Sequence, residues 1–168
     1  MADMYSDASF MLFLSSDQTR FASDVLLVMT DNDCDFNSVD DLKIAEQKGN
    51  HAYLLAREIV LAFDDDYESH NVILGFKHED RDEGIWIYSE GNFISTNAAD
   101  FVHHILEHFD IDESVLIEVA HTCSKPDLGQ FGGETAFVTK LGVNYLHPTV
   151  WAREQDAIFQ RQLVGVIY

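Results

Sequence analysis

Basic side chains are scarce in this sequence: 10 Lys and Arg stand against 30 Asp and Glu, a formal charge of −20 over 168 residues. A chain so poor in cations lacks the Lys/Arg groove with which proteins neutralise phosphates, which argues against direct nucleic-acid binding. Cysteine is nearly absent too. Cys34 and Cys123 are far apart and have neither metal-site nor redox-motif spacing. That fits free thiols in a reducing compartment, so a cytoplasmic location is expected. Long hydrophobic runs are also missing. The stretch from Phe10 to Leu14 falls far short of the ~20 residues that span a bilayer, and Met1 to Asp7 lacks a basic signal-peptide region. Membrane insertion is not expected.

What is present is a foldable apolar content. Hydrophobic residues make up 46% and aromatics 12%, which excludes the composition of a disordered chain in spite of the charge. A chain of this length buries roughly 70% of its unfolded surface. No repeat or linker divides it, so residues 1–168 are expected to form a single acidic domain.

The charge is unevenly spread. Residues 1–48 carry ten acids and three bases, residues 49–113 carry fifteen and three, and residues 114–168 carry five and four. Salt adaptation or simple solubility would colour every exposed surface. A near-neutral last third favours an acidic binding face instead, and leaves that third as the place where a homodimer would form.

Ser9 to Ser15 is a short apolar run that reads as a buried strand, and Val25 to Met29 has the same character. Asp31 to Asp41 is a charged, turn-rich loop, followed by a helical reading from Leu42 to Glu46 that Gly49-Asn50 interrupts. From His51 to Phe63 the residues Ala52, Leu55, Ile59, Ala62 and Phe63 recur at helical spacing, and Asp64-Asp65-Asp66 ends the pattern. Asn71 to Lys77 and Gly84 to Ser89 read as antiparallel strands joined by the charged loop HEDRDE. Ser95-Thr96-Asn97 supplies capping residues for a helix whose stripe is Ala98, Phe101, Val102, Ile105 and Phe109. Ser114 to Thr122 and Glu134 to Thr139 read as a hairpin around the loop SKPDLGQFGG. Pro148 opens a last helix running to about Leu163, and Val164 to Tyr168 would add an edge strand. The expected fold class is α+β: an antiparallel sheet built from hairpins, with helices packed mainly on one face.

Chemical motifs are weak by comparison. Asp31-x-Asp33-x-Asp35-x-Asn37 places oxygen ligands as an EF-hand does, but Phe36 replaces the turn glycine and Leu42 the bidentate glutamate. A solvated acidic loop is the better reading. His104-x-x-Glu107-His108 matches a zinc-protease spacing, yet it lies on the helix face opposite the apolar stripe and reads as polar surface. His121 and Cys123 fall on one side of a strand, which suits a buried thiol beside a hydrogen-bonded histidine. Gln130-Phe131-Gly132-Gly133 lacks the Lys-Ser/Thr of a phosphate loop and reads as turn chemistry. No nucleophile motif is visible, so no catalytic residue, metal or cofactor is expected.

At Thr122-Cys123-Ser124-Lys125-Pro126 and Phe131-Gly132-Gly133 the chain resembles a family of small bacteriophage and bacterial proteins without an assigned activity. In charge and size it is similar to DNA-mimic inhibitors, small acidic proteins that block restriction enzymes, CRISPR effectors or other nucleic-acid-binding proteins. Duplex DNA presents one charge per ~1.7 Å, and a rigid carboxylate array can occupy the basic groove meant for it. The resemblance implies a non-enzymatic, phage-encoded inhibitor acting in the host cytoplasm on a basic nucleic-acid-binding protein. Its expected contact residues are Asp31, Asp33, Asp35, Asp40 and Asp41 in one loop, Asp64, Asp65, Asp66 and Glu68 in a second, and Glu79, Asp80, Asp82 and Glu83 in a third. The alternatives are an acidic structural or interaction protein without mimicry, or a metal-dependent enzyme.

Overall fold

Side-chain alternation puts Ala8 and Leu12 of the first strand, β1 (Met4–Phe13), on a buried face while Ser9 and Phe13 stay in solvent, the period-two pattern of a sheet with one wet side. The computed structural model describes residues 3–63, 72–89, 91–124 and 132–165. After β1 come α1 (Ser16–Met29), α2 (Val39–Lys48), α3 (His51–Phe63), β2 (Lys77–Arg81), β3 (Gly84–Ser89), α4 (Ser95–His108), β4 (Val115–Cys123), β5 (Gly132–Thr139), β6 (Gly142–Leu146) and α5 (Pro148–Gly165). The strands form one antiparallel six-stranded sheet in the order β2-β3-β1-β4-β5-β6. The result is a single α+β domain of hairpins with helices on one face, as the sequence pattern predicts.

β1 changes partner along its length. Ala8 to Phe13 pair with β3, and Met4 to Asp7 pair with β4. On the buried face α1 lies against β3, and α4 covers β4, β5 and β6. α3 bridges α1 and α4, and α2 rests on α3 as an outer tier. The core between the layers is built from Leu12, Ile85, Ile87, Ile117 and Val138 of the sheet together with Val25, Leu26, Ile59, Phe101 and Ile105 of the helices. The opposite sheet face is open: Phe13, Leu116, Phe137 and Leu146 are all exposed there.

Several local expectations are corrected. Val25 to Met29 is the end of helix α1, not a strand, because Ala22, Val25, Leu26 and Met29 are buried at helical spacing while Leu27 is 69% exposed. The helix starts where the Gln18 side chain accepts a hydrogen bond from the Ser15 N–H at 2.9 Å. The strand expected over 71–77 begins only at Lys77, so most of HEDRDE is strand and the hairpin turn is Asp82-Glu83 alone. Gly84 closes that turn at φ 141°, with its α-carbon against the Leu12 carbonyl. At the start of α4 the N-cap position is Ile94, and no side chain caps it. Ser95 instead donates to Glu134, and Asn97 donates to the Ile73 carbonyl at 2.9 Å. β6 is an unforeseen edge strand, and Val164 continues α5 rather than starting a strand. Residues 166–168, the rest of that expected strand, lie outside the described residues, as do 125–131 of the Gly/Pro-rich loop.

Candidate acidic interaction face

Helix α1 organises the acidic surface. Its solvent stripe is Asp17, Arg20, Asp24 and Leu27, positions three and four apart that share one face. Asp17 and Asp24 are therefore about 10 Å apart along the axis, and Asp31 follows in the same sequence spacing just past the Thr30 C-cap. The β2–β3 hairpin comes alongside this stripe. Asp80 accepts a hydrogen bond from the Ser23 hydroxyl at 2.5 Å. A shallow groove of about 560 Å³ between the two elements is lined by Ser16, Thr19, Arg20, Ser23, Asp24, Asp80, Arg81 and Asp82. Its two arginines are already engaged, Arg20 with Asp17 at 3.0 Å and Arg81 with Glu79 at 2.5 Å.

The third-loop carboxylates divide by strand parity. Asp80 faces α1, whereas Glu79 lies on the open sheet face, paired with Arg81 and accepting from the Tyr88 hydroxyl at 3.1 Å. Asp82 and Glu83 occupy the exposed turn. At the far end of α1, Asp31 and Asp35 accept from the N–H groups of Asp33 and Asn37, each at 3.0 Å. These side chains turn onto their own loop instead of converging on a cation. The loop is anchored by Phe36, which is buried against Tyr53, and by Arg57, whose Nε donates to the Phe36 carbonyl at 2.8 Å. Asp40 and Asp41 occupy the first turn of α2 behind its Ser38 cap, where the helix dipole favours negative charge. Burial, together with Asp31, Asp41 and Asp33, pushes the Cys34 thiol pKa up.

The structure thus brings Asp80 and Asp82 to α1 and carries Asp31 onward from its end. It separates Glu79 to the other face. Asp64, Asp65, Asp66 and Glu68 lie outside the described residues. Asp17 and Asp24 are acidic face residues missing from the sequence reading. Their spacing of seven with Asp31 is the signal that a helical reading of α1 would have exposed.

The histidine motif of α4 is dispersed. His103 Nδ1 meets the Thr139 carbonyl at 2.8 Å, His104 Nδ1 meets the Asp100 carbonyl at 2.7 Å, and His108 stacks on Phe21 with ring centroids 4.6 Å apart. His121 Nδ1 pairs with the Ser6 hydroxyl at 3.1 Å. Among the described residues, no group of three or more His, Cys, Asp or Glu side chains is arranged to hold a metal ion. Beside this motif Asp100 is half-buried, and desolvation raises its pKa against the opposing pull of His104 and His103. Desolvation, with the Asp100 and Glu134 carboxylates, pushes the Tyr145 hydroxyl up to about 12, although part of the ring is in solvent. Among the described residues no helix is long and apolar enough to cross a membrane. Compared with protein-family models, curated proteins and solved structures, the chain gives no match.

Proposed function

We propose that this protein is an acidic inhibitor that docks on the basic nucleic-acid-binding surface of a DNA- or RNA-handling protein. The observation that carries the reading is the carboxylate lane along α1: Asp17 and Asp24 on its exposed stripe, Asp80 and Asp82 against its side, and Asp31 beyond its end. Ser23 holds Asp80, Asp31 accepts from its own turn, and Asp17 and Asp24 stand on a packed helix, so binding a cationic groove requires little ordering of these positions. Its net charge steers encounter with a basic partner and makes the complex sensitive to salt.

A second reading has its own observation. Asp31 and Asp35 are spent on local turns, and Asp40 and Asp41 sit at a helix N-terminus, so this part of the acidity serves the fold and solubility without a partner. One experiment separates the two. The protein is immobilised, a bacterial lysate is passed over it at ~100 mM salt, and bound proteins are eluted by salt steps. Under the inhibitor reading a nucleic-acid-handling protein is enriched over an equally acidic control, and the triple variant Asp24→Lys, Asp80→Lys, Asp82→Lys loses it. Recovery identical to the control would leave the structural reading.

A further inference from the structure

An 18-residue helix with exposed apolar side chains and a sheet with an open apolar patch occur in the same chain. Every described side chain of α5 from Pro148 to Arg161 is exposed, including Val150, Trp151, Ile158 and Phe159. Trp151 and Ile158 are seven positions apart and so share one helix face. The open sheet face presents Leu116 directly opposite Phe137 across β4 and β5, with Leu146 on neighbouring β6 and Phe13 on β1. Each of these four side chains is 45–59% exposed. A sheet with apolar residues on both faces needs a layer on each, yet α1 and α4 pack against the other face.

We propose that the missing layer is α5 of a second copy of this chain, exchanged reciprocally so that each protomer's helix lies across β4, β5 and β6 of its partner. Two features favour this occupant. The helix is about 27 Å long, longer than the roughly 10 Å between β4 and β6, so it can cover the whole of this three-strand patch. Electrostatics also selects this surface: two chains of −20 repel through their acidic faces, but α5 carries Arg153 and Arg161 against Glu154 and Asp156 and is neutral over its described length. The contact is isologous, with the same helix and sheet patches used on both protomers.

The test is the mass in solution of the full chain by light scattering at ~0.3 M salt, where repulsion is screened. Twice the 19.1 kDa chain mass is expected. The helix variant Trp151→Glu, Ile158→Glu and the sheet variant Phe137→Glu should each be monomeric with unchanged circular dichroism. Mixed together they should form a heterodimer, because the intact helix of one still has the intact sheet of the other. A monomeric parent would overturn the proposal. A dimer that survives Phe137→Glu, or variants that fail to associate on mixing, would also overturn it, the former assigning the contact to helix on helix. For Phe137→Glu, near-UV circular dichroism distinguishes lost association from lost folding, and Leu116→Gln provides a milder second sheet variant with the same expected loss of the dimer.

Discussion

The Ser23 hydroxyl donates to the Asp80 carboxylate at 2.5 Å, joining the middle of α1 to a hairpin 57 positions downstream. This contact ties the hairpin to the helix beside the groove that Asp82 lines. Ser23→Ala removes the donor from an exposed hydrogen bond, so the expected loss of stability is about 1 kcal/mol or less. Thermal unfolding should shift by only a few degrees. Hydrogen exchange at the hairpin amides should rise more than the global change requires, and an unchanged exchange pattern would refute the tie.

Asp100 gives a pH dependence with a definite sign. Its pKa is raised in the fold, so folding favours the protonated form. This contribution is complete below the ordinary carboxylate range and is lost as the pH rises through the raised value. Asp100→Asn should therefore unfold at a higher temperature than the parent at pH 7. The difference should close as both approach pH 3, and a difference constant across that range would contradict the assignment.

The concentration of acid predicts a salt response. Because like charges oppose compaction, melting temperature should climb as sodium chloride is raised from ~0.05 to ~0.5 M and the Debye length contracts. The triple variant Asp17→Asn, Asp24→Asn, Asp82→Asn should give a flatter curve. Parallel curves for parent and variant would show that these carboxylates do not repel one another in the native state.

Two glycines with positive φ should behave differently. At Gly84, φ is 141° and an added β-carbon collides with the Leu12 carbonyl oxygen, a backbone atom in the central strand. Gly84→Ala is expected to cost several kcal/mol. At Gly49, φ is 63° and nothing lies within 4 Å of an added β-carbon. Gly49→Ala should cost only about 1–2 kcal/mol, the left-handed penalty alone. Equal losses measured by urea unfolding would count against the Gly84 contact.

The legible parts of the sequence are those in which local pattern and tertiary burial agree. α3 and α4 form as helices where their apolar stripes predict them, although Ala62 of the expected α3 stripe is exposed. β4 and β5 alternate and pair as read. Val25 to Met29 misled because five consecutive apolar residues suit a strand equally well unless Ala22 is included in the period. β6 was missed because Gly142 to Leu146 is five residues long and at an edge, where few cross-strand neighbours shape its composition. The acidic face was legible as composition but not as geometry. Glu79 and Asp80 are adjacent in sequence and point to opposite sides of the sheet, while Asp24 and Asp80 are far apart in sequence and line one groove. The Asn97 side chain was expected at a cap but is 8% exposed and holds the Ile73 carbonyl, a tertiary role that no local rule marks.

The central place of β1 has a consequence for the order in which the chain is made. Met4 to Phe13 are made before both of their partners, Gly84 to Ser89 on one side and residues 120–123 on the other. The chain must be synthesised as far as Cys123 before this strand can be paired on both edges, so during translation its apolar residues are open to association with other nascent chains. The hydrogen bond between Ser6 and His121, 115 positions apart, is one of the contacts that ends this exposure.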